Sequence, residues 1–150
     1  MKNRRGLTAV AMAGMMGAMT LASSFSAYAA AGWVQSGNTY VYYDSDGSLH
    51  KGWVNASNGY YYTDLSTGQM VTGWKQINNN WYYFGSNGDM ATGWFKDNLN
   101  NWYYLTPAGA GTEGAMVTGW QQIDGRWYYF NEKSDGFCGT MLSNTTTPDG

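Results

Sequence analysis

The chain has 150 residues, with 8 Trp, 13 Tyr and 5 Phe beside only 8 Lys and Arg and 10 Asp and Glu. After residue 29 only twelve Leu, Ile and Val residues remain, too few for an aliphatic core, which disfavours an α/β enzyme, a helix bundle and a disordered tail. The same part holds all ten acidic residues and only five of the basic ones, so we do not expect it to bind nucleic acid.

The first 29 residues have the pattern of an export signal. A basic start and an uncharged stretch of about 15 residues precede Ala27-Tyr28-Ala29, the small-x-small pattern that signal peptidase reads. The alternative is an uncleaved membrane anchor, but that stretch is short for a bilayer, which needs about 20 residues. We therefore expect a helical signal peptide at residues 1–29, a secreted mature protein and no membrane insertion after cleavage.

The rest of the chain repeats one unit five times. The dipeptide Gly-Trp recurs at near-regular spacing, with its indoles at Trp33, Trp53, Trp74, Trp94 and Trp120. Seven or eight residues after each of these comes an aromatic block, such as Trp81-Tyr82-Tyr83-Phe84. A fixed period near 20 residues is typical of solenoids of stacked supersecondary units. The predicted repeats occupy residues 30–142, at about 32–52, 53–73, 74–93, 94–119 and 120–142.

Each unit has the pattern of a β-hairpin. A short strand begins at Gly-Trp, a polar turn follows, and the aromatic block forms the second strand. Asn78-Asn79-Asn80 and Asp124-Gly125 are such turns, because Asn, Asp and Gly tolerate the positive φ angles of tight hairpins. The predicted fold class is therefore all-β, a solenoid of stacked β-hairpins.

Side chains alternate between the two faces of a strand, so the rings of one block divide into two sets. The face that carries Tyr82 and Phe84, together with Ile77 and Ile123, is the predicted core. On the other face, the Gly-Trp ring and the first ring of the block lie across one hairpin, and a ring of the next hairpin would close a three-sided pocket. Such a pocket suits a quaternary ammonium group and also the apolar face of a sugar.

The sequence Gly-Trp-x(6–7)-Trp-Tyr-Tyr-Phe, followed by Gly-x-Met-x-Thr-Gly-Trp, resembles the cell-wall-binding (choline-binding) repeat of Gram-positive surface proteins, autolysins and phage endolysins, over roughly residues 32–142. The resemblance implies a hairpin solenoid with a left-handed superhelical twist. It also implies that choline on teichoic acids binds between successive hairpins, through two rings of one repeat, a Tyr of the next and a nearby Met. Related repeats in glucan-binding enzymes and clostridial toxins bind sugars instead.

Carried over by position, the resemblance implies three ligand pockets. They are Trp53 and Tyr60 with Tyr83, Trp74 and Trp81 with Tyr104, and Trp94 and Trp102 with Tyr129, with Met90 and Met116 as wall residues. The middle Tyr of each block is the alternative for the third ring. In the first unit Tyr40 replaces Trp and Leu49 replaces Met, so its pocket is expected to be weaker or only structural. Loop extensions before Met116 and Met141 are expected to reshape the last pocket.

The predicted function is that of a non-catalytic, secreted cell-wall-binding module whose partner is choline-bearing teichoic acid or a glucan. We expect no cofactor and no metal, because no paired carboxylates, metal cluster or partnered nucleophile occurs in the sequence, and the single Cys138 cannot close an intrachain disulfide. The alternatives are a carbohydrate-binding repeat module, a structural spacer, and the targeting fragment of a larger wall hydrolase. Residues 143–150 are predicted to be a linker or truncated tail, and the repeat ends could support an oligomer.

Overall fold

The computed structural model describes residues 31–143, in which ten strands form five two-stranded antiparallel hairpins. The predicted signal peptide and residues 144–150 of the predicted tail lie outside the described residues. The chain divides into two compact units after Val71. The first unit contains β1 (Gly32–Ser36), β2 (Thr39–Tyr43), β3 (Gly52–Ala56) and β4 (Gly59–Thr63). The second unit contains β5 (Gly73–Ile77), β6 (Asn80–Phe84), β7 (Gly93–Lys96), β8 (Trp102–Leu105), β9 (Gly119–Ile123) and β10 (Arg126–Phe130).

The polar turns predicted from the sequence close their hairpins. Asn78 and Asn79 form a two-residue turn between β5 and β6, with φ angles of 48° and 67°. Asp124 and Gly125 hold the same positions between β9 and β10, with φ angles of 50° and 77°. Two consecutive positive φ angles match the right-handed twist of paired strands, and Asn, Asp and Gly adopt them at low cost. Both turn predictions are confirmed.

Alternation along β6 separates its rings as predicted. In β6, Tyr82 and Phe84 are buried, at 5% and 0% exposure, whereas Trp81 is 40% exposed. Ile77 and Ile123 are buried as well, at 7% each. Aromatic side chains supply most of the buried apolar surface, since each one removes about 150–250 Å² from water. The predicted aromatic core is confirmed.

Main-chain hydrogen bonds link hairpins within a unit. Each bond joins one hairpin to the loop that follows the next hairpin in the chain. The donor is the N–H of a methionine, and the acceptor is the carbonyl oxygen of the first ring of the earlier block. At 2.7–2.8 Å, the pairs are Met70 with Tyr40 in the first unit, and Met116 with Trp81 and Met141 with Trp102 in the second. Both partners are backbone groups, so the bond satisfies them and fixes the methionine beside that ring.

Within each unit, successive hairpins also pack ring against ring. In the first unit the centroids of Trp33 and Tyr61 lie 5.2 Å apart. In the second unit Tyr83 and Phe95 lie 4.0 Å apart, in a tilted arrangement. Offset and edge-on pairs of this kind add roughly 0.5–1.5 kcal/mol each to the gain from burial. The predicted all-β fold of stacked hairpins is confirmed.

Residues 31–143 contain no helix long and apolar enough to cross a membrane.

A fully buried hydroxyl closes the hairpin of β3 and β4. Thr63 is 0% exposed; its hydroxyl accepts a bond from the Gly52 N–H (3.1 Å) and donates to the His50 carbonyl (3.0 Å). Thr63→Val keeps the shape but leaves these two backbone groups without this partner, so we expect a loss of about 1–3 kcal/mol in the free energy of unfolding. Urea denaturation followed by Trp fluorescence measures it. Thr63→Ser keeps the hydroxyl, and an equal loss in both variants would contradict this account.

Candidate functional site

Each hairpin contains one edge-on pair between its Gly-Trp indole and the third residue of its own aromatic block. The two residues face each other across the strands, as Trp74 and Tyr83 do. The centroid distances are 5.1–5.3 Å, for Trp33 with Tyr42, Trp53 with Tyr62, Trp74 with Tyr83, Trp94 with Tyr104, and Trp120 with Tyr129. The third ring of a block therefore packs within its own hairpin.

An aromatic opening lies between the β5–β6 and β7–β8 hairpins of the second unit. Trp74, Trp81, Tyr103 and Met116 line a cleft of about 400 Å³, and we call these four residues the Trp74 cleft. The Trp74 and Tyr103 centroids are 4.9 Å apart with planes inclined at 58°. The structure thus brings together three of the predicted residues, namely Trp74, Trp81 and Met116.

The third ring of the Trp74 cleft is Tyr103, where the sequence analysis placed Tyr104. Tyr104 shares a face with Trp102, and that face carries its ring to Trp94 of the same hairpin, 5.1 Å away. Tyr103 lies on the opposite face, which is the one turned toward the preceding hairpin. Tyr104 does not line this cleft, because the face of β8 that packs on Trp94 is turned away from Trp74, and its contact with a ligand stays a prediction.

A second aromatic group, the Trp94 cluster, consists of Trp94, Trp102 and Tyr128. The indoles of Trp94 and Trp102 are 6.1 Å apart and nearly perpendicular, and Tyr128 lies 4.9 Å from Trp94. The third ring is again the middle one of the block, Tyr128, and not the predicted Tyr129. Tyr129 is 6% exposed and its hydroxyl donates to Glu132 at 2.8 Å.

The Trp94 cluster already has a cationic neighbour. The ammonium nitrogen of Lys96 lies 5.4 Å from the centroid of the Trp102 ring. That distance is within the range at which a cation is attracted by the ring quadrupole. Lys96 stands directly opposite Trp102 across the hairpin, whereas Gln76 stands opposite Trp81 in the hairpin of the Trp74 cleft.

The first unit contains a related ring contact, at the place where the sequence predicts a weaker or only structural pocket. Trp33 packs against Tyr61, the middle ring of the next block, at 5.2 Å. Met70 bonds through its N–H to the carbonyl of Tyr40, as Met116 does to Trp81. Tyr40 stands here in place of Trp, which is why a weaker pocket is expected, although the regular Gly-Trp and Met spacing continues through this unit.

The remaining predicted site residues are placed as follows. Trp53 and Tyr60 are both 36% exposed in the first unit. Tyr83 belongs to the second unit, where it packs on Trp74. Their joint pocket draws on both units and stays a prediction. Met90 pairs with Phe84 of its own hairpin, and its thioether lies close to Gly114.

Asp97 gives the Trp74 cleft a negative charge beside its third ring. The Tyr103 hydroxyl donates to the Asp97 carboxylate at 3.2 Å. Burial, and then the charge of Asp97, raise the pKa of Tyr103, so the phenol stays neutral. Desolvation acts to raise the pKa of Asp97, but hydrogen bonds from Asn101, Leu99 and Tyr103 outweigh it and hold that pKa below its usual value. A neutral phenol beside a carboxylate favours a cationic ligand.

Replacing this carboxylate by its amide tests the local electrostatics. Because the pKa of Asp97 is depressed in the folded chain, its stabilising effect is present above the ordinary Asp value of 3.8 and is lost as the pH falls through the folded value. We expect Asp97→Asn to cost less than about 1 kcal/mol at neutral pH, since solvent screens the group, and less at pH 3 than at neutral pH. Urea denaturation at both pH values measures this. Asp124→Asn, in a turn that Asn also adopts, should match the parent at both.

No group of three or more His, Cys, Asp or Glu residues in the described part of the chain could hold a metal ion. The Trp74 cleft is lined by aromatic rings, a thioether and polar residues of the loop after β10, with the Asp97 carboxylate nearby. Such walls offer electron-rich faces and apolar contact to a ligand.

Several solved structures are similar to this chain. Choline binding protein F from Streptococcus pneumoniae is similar at 39% identity and a TM-score of 0.67, over 79% of this chain and 36% of that one. CbpJ from Streptococcus pneumoniae is 40% identical with a TM-score of 0.67, over 79% and 37%. The multimodular pneumococcal cell wall endolysin from phage Cp-1, solved in complex with choline, is 33% identical with a TM-score of 0.57, over 81% and 34%.

The chain thus spans about a third of the length of these solved structures. No curated protein sequence matches it. Residues 30–72, 71–110 and 111–145 match the choline-binding repeat, which covers nearly the whole hairpin region. The chain therefore belongs to the choline-binding repeat family.

Proposed function

We propose that the chain is a non-catalytic, exported module that attaches to choline-bearing teichoic acid of the bacterial cell wall. The observation that carries the proposal is the Trp74 cleft, in which three rings and a thioether surround one space of about 400 Å³. A trimethylammonium group fits such walls because its charge is attracted to the ring faces and its methyl groups pack on them. The endolysin complexed with choline supports the same ligand for this chain.

Single clefts are expected to bind weakly and to act together. Each cation–ring contact contributes about 0.5–2 kcal/mol, so a few contacts per cleft, less the cost of ordering, correspond to about millimolar affinity. Several clefts that face a polymer with repeated headgroups gain about 10²–10⁴ in avidity. The module should therefore hold tightly to intact wall while binding free choline loosely.

A neutral analogue of choline separates charge recognition from plain apolar packing. The isomer 3,3-dimethyl-1-butanol, called dimethylbutanol below, has the shape of choline with a carbon atom in place of the nitrogen. We expect choline at tens of millimolar to release the chain from purified walls, and dimethylbutanol at the same concentration to leave it bound. Release by a soluble glucan instead of choline would favour a carbohydrate-binding module and overturn the proposal. Equal release by both small molecules would show that charge plays no part.

A further inference from the structure

We infer that the loop of residues 131–140, which follows the last hairpin, forms an additional wall of the Trp74 cleft and brings the thiol of Cys138 to the bound ligand. This inference rests on the proposed function. Besides its rings and Met116, the cleft is lined by Ser134, Gly136 and Cys138, all from this loop. The loop that follows the β9–β10 hairpin thus contributes to the cleft between the β5–β6 and β7–β8 hairpins.

The loop is held in one shape by its own hydrogen bonds. Asn131, 8% exposed, receives a bond at its carbonyl from the Gly139 N–H (2.7 Å) and donates through its own N–H to the Thr140 carbonyl (2.8 Å). Its side-chain amide donates to Asp135 at 3.1 Å, and Asp135 also accepts from the Phe137 N–H at 3.0 Å. These bonds fix the loop before a ligand arrives, which lowers the entropy lost on binding.

Close packing couples the loop to the methionine of the cleft. Gly139 has a φ of +80°, and a Cβ at this position would collide with the sulfur of Met116. The thioether of Met116 packs against the backbone at Gly139, so a side chain added there must displace the end of that methionine. Met116 and the loop therefore act as one wall.

The chemistry of this wall differs from that of the rings. Ser134 offers a hydroxyl, Cys138 a thiol, and Gly136 a backbone without a side chain. A ligand bound here would place its cation among the rings and its polar remainder against the loop.

Thiol labelling of the full chain tests the position of the loop. Cys138 is the only cysteine and is partly exposed, so one reaction reports one place. Its thiolate attacks trimethylammonioethyl methanethiosulfonate, a mixed disulfide forms, and methanesulfinate leaves. Choline at about ten times its dissociation constant should slow this reaction about tenfold. The matched control is the double variant Cys138→Ser with Ser57→Cys, a thiol in an exposed turn of the first unit, where choline should change nothing.

The outcomes of the labelling are distinct. If choline alters the Trp fluorescence to saturation but leaves the labelling rate of Cys138 unchanged, the loop is not part of the site and the inference is overturned, while the proposed function stands. If choline changes neither signal, the proposed function fails and the inference fails with it. Protection of both thiol positions alike would also overturn the inference.

A pair of glycine variants tests the coupling to Met116. Gly139→Ala and Gly125→Ala both introduce a side chain at a positive φ, +80° and +77°, but only the first meets Met116. We expect Gly139→Ala to raise the choline concentration that halves Cys138 labelling by about fivefold, and Gly125→Ala to leave it unchanged. Circular dichroism of both variants serves to check that they are folded. Equal choline protection in the two folded variants would contradict the inference.

Discussion

A Trp81→Ala variant is expected to lose about 10²-fold in retention on choline-bearing wall while keeping its fold. Trp81 is 40% exposed and lines the Trp74 cleft, so its removal opens one ligand site without emptying the core. Losing one site from a multivalent module removes its share of the avidity as well as its own weak contacts. Wall-binding isotherms at fixed ionic strength measure the retention, and titration with choline should show one site fewer.

The matched control for this variant is Trp127→Ala. Trp127 holds the same position in its hairpin, opposite Gln122 as Trp81 is opposite Gln76, and it is 63% exposed. It lines no part of the Trp74 cleft, so its removal should leave retention close to that of the parent chain. Equal losses in the two variants would show that retention depends on exposed indoles in general and not on the cleft.

A Phe130→Ala variant is expected to lower the free energy of unfolding by about 3–5 kcal/mol. Phe130 is 0% exposed, and its ring lies 5.9 Å from that of Trp94 and 6.4 Å from that of Tyr104. Removing it costs the transfer of the ring and leaves a cavity between two hairpins. Since domains of this size are stable by only about 5–15 kcal/mol, the second unit should come close to unfolding. Urea denaturation monitored by circular dichroism gives the value.

A phenylalanine outside the core provides the comparison. Phe137 is 56% exposed, so Phe137→Ala should change the free energy of unfolding by less than about 0.5 kcal/mol. Because both variants replace Phe by Ala, a difference between their free energies of unfolding reflects the burial of the side chain. A large loss in Phe137→Ala, or none in Phe130→Ala, would contradict the assignment of the core.

Much of the fold could be predicted because its causes are local. The turn at Asn78 and Asn79 follows from residue types that accept positive φ, and the burial of Tyr82 and Phe84 follows from strict alternation. The five occurrences of the Gly-Trp dipeptide give the number of hairpins. These signals lie within about twenty residues of each other, so one sequence is enough to read them.

The third ring of each cleft could not be fixed in this way. Alternation says that Tyr103 and Tyr104 lie on opposite faces, but it does not say which face packs against the preceding hairpin. The structure decides this through the pairing of Tyr104 with Trp94, which leaves Tyr103 to face Trp74. The choice depends on how hairpins stack, which is a tertiary property.

The part played by the last loop was equally hidden. The sequence predicted that the loop extension before Met141 reshapes the last pocket. In the structure, Ser134, Gly136 and Cys138 of this loop line the Trp74 cleft instead. Cys138 and Trp74 are 64 positions apart in the chain, and no local pattern links them. Only the return of the chain past two hairpins brings them together.

Under the proposed function, we expect Lys96 to set an order between the Trp74 cleft and the Trp94 cluster. Its ammonium nitrogen lies 5.4 Å from the centroid of the Trp102 ring, whereas Trp81 stands opposite the uncharged Gln76. A headgroup at the Trp94 cluster would compete with this tethered cation, so we expect the cluster to fill only at a higher headgroup density. Attachment should then strengthen in steps as the wall polymer becomes more richly decorated.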